Sequence, residues 1–158
     1  MIRVAVLTVS DRCSSGEQED TSGPALAELC THRLNATIVE QGVVPDEADR
    51  IEALLRTWVD AGIDLVLTTG GTGLGPRDVT PEATSRVIDR PHPALLELAR
   101  ARALPATPKA FLSRGVAGAA ARTLILNLPG SPRGSTETLE ALLDVVPHAI
   151  AMLHGAGH

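Results

Sequence analysis

IDLVLTTGGTGLGPRD, residues 63–78, carries an apolar run straight into a glycine-rich loop. Ile63 to Thr69 has the composition of a strand buried on both faces, as in a parallel sheet covered by helices. Gly70, Gly71, Gly73 and Gly75 would let backbone amides approach an anion closely, and Thr68, Thr69 and Thr72 add hydroxyl donors. The segment is no Walker loop, since no Gly-Lys-Ser/Thr follows at the right spacing. Nor is it GxGxxG, because the third position falls on Pro76 or Asp78. A flexible strand-to-helix turn would need one or two glycines, so four favour a phosphate loop. Asp78 ends the loop beside Arg77. Its carboxylate would hold Mg²⁺ next to bound phosphates, or would be a first-turn charge favoured by the helix dipole.

Working outward, Ile2 to Val9 reads as another buried strand, followed by the long polar stretch SDRCSSGEQEDTSG. Long loops directly after a first strand often carry ligands. A helix follows with Pro24 in its first turn, and Thr37 to Val44 forms a second strand. PDEADRIEALLRTWVDAG then places Ile51, Leu54, Leu55, Trp58 and Val59 on one helical face, closed by Gly62. Beyond the glycine loop, Thr80-Pro81 reads as a helix cap with proline behind it, and a short helix covers Leu95 to Leu104. A proline-containing loop leads to strands at Ala110 to Ala117 and Thr123 to Leu128. LPGSPRG is read as a loop and Ser135 to Val146 as a helix interrupted by Pro147, with a last turn over Ala149 to Leu153. Strands alternating with helices in this way predict a three-layer α/β fold around a mostly parallel sheet, and 158 residues fit one domain, 1–158.

Composition narrows the function. Hydrophobic residues make up 44% and charged ones 21%, as in ordinary globular domains. Trp58 and Phe111 are the only aromatics, too few for base stacking along single-stranded nucleic acid. The 14 basic and 19 acidic residues leave a net charge of -5, which offers no general attraction to nucleic acid or an anionic membrane. No stretch approaches the about 20 apolar residues needed to cross a bilayer, and no signal peptide opens the chain, so a cytoplasmic location is expected. Cys13 and Cys30 form no CxxC and are read as free thiols in a reducing compartment. The histidines at 32, 92, 148, 154 and 158 show no zinc-site spacing and are read as surface residues.

In an open parallel sheet, ligands bind beyond the carboxyl ends of the strands. Ser10-Asp11-Arg12, the loop from Gly70 to Asp78, and Pro129-Gly130-Ser131-Pro132 all leave strand ends. Asp11 and Arg12 are a substrate-facing pair or a turn. Asp46 precedes the long helix, where an acidic cap needs no further reason. Ser113 and Arg114 would bind an anion or face solvent.

VSDRCSSG, PD before the long helix, TTGGTG-x(3)-RDVTPEAT, SRGVAG and LILNLPGSP occur in that order from about Ile2 to Leu153. Each is weak alone, but five in order at compatible spacing are specific. The set resembles the MogA/MoaB-like molybdopterin adenylyltransferase family. The resemblance implies a molybdopterin-binding-like fold and transfer of AMP from ATP to the terminal phosphate of molybdopterin, with Mg²⁺ and release of pyrophosphate. It implies a homotrimer and hand-over of product to a molybdenum insertase. Position by position, it makes Asp46 and Asp78 essential acidic residues that hold metal or position substrate. It places Thr69, Gly70, Gly71, Thr72 and Gly73 around nucleotide phosphates with Arg77, and Asp11, Arg12, Ser113, Asn127, Gly130 and Ser131 around the pterin and its phosphate. Ser131 stands where other members have asparagine or glutamine. Some MoaB-like relatives keep the fold and lack the reaction, so a silent molybdopterin-binding paralogue or scaffold is the alternative. The attacking phosphate is already ionised at neutral pH, so no general base is required and no catalytic histidine is expected.

Overall fold

The computed structural model describes residues 1–103 and 108–156. Strand β1 (Ile2–Val9) lies between β2 (Ala36–Val44) and β3 (Leu65–Thr69), both parallel to it. β6 (Thr123–Leu128) continues the parallel array beside β3. Beyond it, β5 (Ala117–Ala120) runs antiparallel to β6, and β4 (Arg90–Pro91) antiparallel to β5. The sheet order is β2-β1-β3-β6-β5-β4.

Helices cover both faces because the strands are apolar on both. Along β1, Val4 and Val6 belong to one core with Leu26 and Cys30 of α2 (Ser22–Arg33), Leu95 and Leu96 of α5 (Ala94–Ala103), Leu139 of α6 (Pro132–Glu140) and Ile150 of α7 (Val146–Leu153). Ala5, Leu7 and Val9 point the other way, against Ile51, Leu55 and Trp58 of α3 (Ala48–Asp60) and Ala83 of α4 (Thr80–Ser85). Each fully buried aliphatic side chain contributes about 1.5–3 kcal/mol by leaving water, which gives an almost purely aliphatic core its stability. Of the two aromatics, Trp58 is buried and Phe111 exposed. Among the described residues, no helix is long and apolar enough to cross a membrane.

Several expectations change. The polar stretch after β1 contains a short helix, α1 (Asp11–Ser15), started by the Ser10 hydroxyl accepting from the Cys13 amide at 3.1 Å. Thr80 is the first helical residue rather than a cap, and its hydroxyl donates to the Gly70 carbonyl instead. The predicted strand at Ala110 to Ala117 is a 3-10 turn over Pro108–Leu112 and an irregular link, because the Arg114 amide donates to the Thr72 carbonyl rather than to a neighbouring strand. Only Ala117–Ala120 pairs, and there Gly118 lies so close to the Arg90 carbonyl that a Cβ would sit 2.6 Å from it. α6 begins earlier than predicted, at Pro132, since Ser131 caps it by accepting from the Gly134 amide at 2.9 Å. Pro147 does not interrupt a helix but lies in the first turn of α7. The expected helix end at Leu104, the start of the proline-containing loop and His158 lie outside the described residues.

Candidate active site

The order β2-β1-β3 places β1 in the middle, so the chain leaves its carboxyl end toward one side and returns for β3 on the other. That switch point opens a crevice where ligands bind in open α/β sheets. A cleft of about 540 Å³ lies there, lined by Thr8 to Cys13, Gln18 to Ser22, Asp46, Thr69 to Gly71, Asp78 and Gly130 to Pro132.

Its floor is a close crossing of backbones. Gly70 has φ +98°, and a Cβ on it would stand 2.3 Å from the Val9 carbonyl oxygen. Gly71, at φ +69°, would put one 2.3 Å from the Thr80 hydroxyl and 3.0 Å from Asp46 Oδ1. Both positions require glycine. The Thr80 hydroxyl donates to the Gly70 carbonyl at 2.9 Å and the Thr80 amide to the Gly71 carbonyl at 3.1 Å. Because the peptide is planar and trans, the N–H groups of Gly71 and Thr72 point away from Thr80. The loop is braced from its other side where the Thr69 hydroxyl donates to the Pro129 carbonyl and the Ser22 hydroxyl to the Gly130 carbonyl, each at 2.7 Å.

Three carboxylates and one arginine form the electrostatic centre. The Asp11 amide donates to Asp46 Oδ2 at 2.9 Å, and the Asp46 amide returns a bond to Asp11 Oδ1 at 3.0 Å. Arg77 grips Asp11 with two parallel bonds, Nε to Oδ2 at 3.0 Å and a terminal nitrogen to Oδ1 at 2.9 Å. That hydrogen bonding from Arg77, aided by the Asp46 amide, lowers the Asp11 pKa below the ordinary carboxylate value. Asp46 moves the opposite way. Partial burial, with the neighbouring charges of Asp11 and Asp78, raises its pKa despite the Asp11 amide and Arg77. Asp78 accepts from the Gly75 amide through Oδ2 at 2.9 Å. Among the described residues, Asp46 Oδ1 and Asp78 Oδ1 accept no hydrogen bond.

This donor set fits Mg²⁺ held jointly with a nucleotide. No three metal-binding side chains cluster among the described residues. Two carboxylates with one free oxygen each match an ion that takes one or two protein ligands and completes its shell with phosphates and water.

The structure sorts the sequence-predicted residues into groups. Asp11, Arg12, Asp46, Thr69, Gly70, Gly71, Asp78, Gly130 and Ser131 line the cleft together. Thr72, Gly73 and Arg77 are outside its lining, Thr72 buried and Arg77 reaching it through Asp11. Ser113 and Asn127 share a separate small pocket with Arg100 and Pro129. Asn127 is buried, its amide nitrogen donating to the Thr68 and Thr84 hydroxyls at 2.9 and 3.0 Å and its oxygen accepting from the Val116 amide at 3.1 Å. It braces β6, β3 and α4 from inside the protein.

Asp20 joins the site without having been expected there. It accepts from the Thr8 hydroxyl at 2.8 Å and the Gly23 amide at 3.0 Å, at the edge of the cleft. Its sequence signals are its place in the long polar stretch after β1 and an acidic residue three before a glycine at a helix start.

Fold, glycine loop and a cleft at the carboxyl ends of the strands, at the switch point, define an α/β domain of the open parallel-sheet class. The sequence profile of the family described as "Probable molybdopterin binding domain" matches residues 5–148, and the chain belongs to that family. It is 42% identical over 156 residues to the molybdopterin adenylyltransferase of Helicobacter pylori J99, covering 98% of this chain and 89% of that protein. It is also 42% identical over 153 residues to the molybdenum cofactor synthesis protein cinnamon of Drosophila melanogaster, spanning 96% of this chain but 26% of that longer protein. The crystal structure of the molybdopterin biosynthesis enzyme MoaB from Thermus thermophilus superposes with a TM-score of 0.93 at 52% identity, covering 98% of each chain.

Proposed function

We propose that this chain is a Mg-ATP-dependent molybdopterin adenylyltransferase of molybdenum cofactor biosynthesis. The observation that carries the reading is the pairing, in one cleft, of a left-handed diglycine turn with two carboxylates that each keep an oxygen free. Similarity along nearly the whole length to a protein named for this reaction supports it.

A terminal phosphate oxygen of molybdopterin attacks the α-phosphorus of ATP. The bond from that phosphorus to the bridging oxygen breaks, and pyrophosphate leaves with the electron pair. The amide of Gly71, in the cleft lining and turned away from Thr80, would donate to a phosphate oxygen. Asp46 and Asp78 would hold Mg²⁺, which supplies charge neutralisation between nucleotide and protein carboxylates and at the departing pyrophosphate. Arg77 keeps Asp11 charged and turned aside, so that its amide fixes Asp46. Arg12, exposed within the cleft, gives the pterin phosphate a cation, with the backbone of Gly130 and Ser131 opposite. A homotrimer, a cytoplasmic location and hand-over to a molybdenum insertase belong to the same reading.

The test is to mix protein with Mg-ATP and freshly prepared molybdopterin and follow both products. Adenylylated pterin and pyrophosphate appear in equal amounts and only with pterin present. Pterin binding without either product would leave a silent paralogue, and phosphate release without pterin would mean a hydrolase.

A further inference from the structure

We infer that Arg114 is the positioning residue of the glycine loop, orienting its second half for the nucleotide phosphates, an inference that rests on the adenylyltransferase reading. Its backbone amide donates to the Thr72 carbonyl at 2.7 Å. Its side chain donates from Nε to the Gly73 carbonyl and from a terminal nitrogen to the Asp78 carbonyl, both at 2.8 Å. The other terminal nitrogen pairs with Glu82 of α4. The expected anion site at Arg114 is therefore taken up by the protein's own carbonyls. Among the described residues, no other side chain holds a carbonyl between Thr72 and Asp78.

The consequence follows from peptide geometry. In a trans peptide the carbonyl of one residue and the N–H of the next point in opposite directions. Fixing the carbonyls of Thr72, Gly73 and Asp78 on Arg114 thus aims the N–H groups of Gly73, Leu74 and Val79 away from it. None of these three donates to a backbone carbonyl or a side chain among the described residues. Thr80 orients the first two amides of the loop in the same way, so two clamps set four successive donors, Gly71 to Leu74, and a fifth at Val79 where α4 begins. A glycine-rich loop does not hold one conformation alone, since glycine has the largest backbone freedom to lose. Arg114 removes that freedom before ligand arrives. Lysine cannot replace it, because one ammonium lacks the planar fork that serves Gly73, Asp78 and Glu82 at once. Arg114 is itself braced, since Arg100 donates to the neighbouring Ser113 carbonyl at 3.1 Å.

The experiment compares wild type, Arg114→Ala and Arg114→Lys by calorimetric binding of Mg-ATP and of molybdopterin, and by amide hydrogen exchange. Arg114→Ala is expected to weaken Mg-ATP by at least about tenfold and molybdopterin by less than about threefold. Exchange should quicken at Gly75 and Asp78 while β1 and β3 stay protected. Arg114→Lys should fall between, and added guanidinium ion should restore Mg-ATP binding to the alanine variant. Unchanged exchange and Mg-ATP affinity in the alanine variant would overturn the clamp. Equal loss of both ligands with exchange rising across the sheet, in both variants, would reduce Arg114 to a structural residue. Wild type failing to bind Mg-ATP would overturn the adenylyltransferase reading and the clamp's nucleotide role, while the exchange result still judges the clamp itself.

Discussion

The two ends of the sheet treat their polar groups in opposite ways. At the amino end, Arg3 donates its amide to Asp64 at 2.8 Å and its guanidinium to the Ala61 and Gly62 carbonyls at 3.3 and 3.0 Å. His154 lies 3.1 Å from the same Asp64, and the Thr123 hydroxyl donates to the Ile63 carbonyl at 2.6 Å. These groups close on each other. At the carboxyl end, Asp46 and Asp78 leave oxygens free, like charges crowd, and Gly70 and Gly71 adopt left-handed backbone. An end built only for stability would look like the first. The second keeps like charges crowded and carboxylate oxygens free, the kind of place where perturbed carboxylates mark a functional site.

The largest effect should come from removing one of those charges. Asp46→Asn is expected to lower turnover by at least about 10²-fold, while its melting temperature does not fall. Asparagine can still accept the Asp11 amide bond, and the crowding of carboxylates is relieved. The sign of the pH dependence agrees. With its folded pKa raised, charged Asp46 opposes folding at neutral pH, and that cost fades as pH drops through the raised value toward the ordinary one. If Asp46 acts as the proposed carboxylate, the acid limb of activity should lie above the ordinary aspartate value and be absent from a pH profile of ligand-free stability loss.

Gly70→Ala should rank next. The Val9 carbonyl blocks a Cβ there, and strain of about 1–3 kcal/mol is expected in denaturant unfolding. Gly155→Ala, also at positive φ but with nothing within 4 Å, should cost about 1 kcal/mol or less. At the amino end, His154→Ala removes a partly buried pair whose carboxylate, Asp64, keeps the Arg3 amide bond, and should shift stability by about 1 kcal/mol or less with turnover unchanged. The smallest perturbation is chemical labelling. Burial pushes the Cys30 thiol up to about 12, so a thiol reagent at mildly alkaline pH should modify Cys13 alone, more slowly when substrate fills the cleft.

Much of the fold was legible because its signals are local. β1, β3 and β6 are apolar runs, and α3 carries its buried face at helical spacing. The two-residue β4 and the link before β5 were not, since their conformation is set by partners distant in the chain. The site divides likewise. Strand ends and glycines identified the cleft. The reciprocal bonds between Asp11 and Asp46, 35 positions apart, and the reach of Arg114 across 41 positions to Gly73 leave no local trace. Asn127 looked like a ligand residue because it sits in a family motif, yet its bonds brace three elements of the core.

In the proposed reaction, the carboxyl-end cleft would move an adenylyl group with Asp46 and Asp78. The most direct measurement supplies ATP labelled in its α-phosphate, with Mg²⁺ and molybdopterin, to wild type and Asp78→Asn, and follows the label. Label should pass to the pterin with wild type and stay in ATP with the variant, both proteins remaining folded. Label reaching the pterin equally fast with Asp78→Asn would remove Asp78 from the reaction, and label appearing as free AMP with wild type would make the protein a hydrolase.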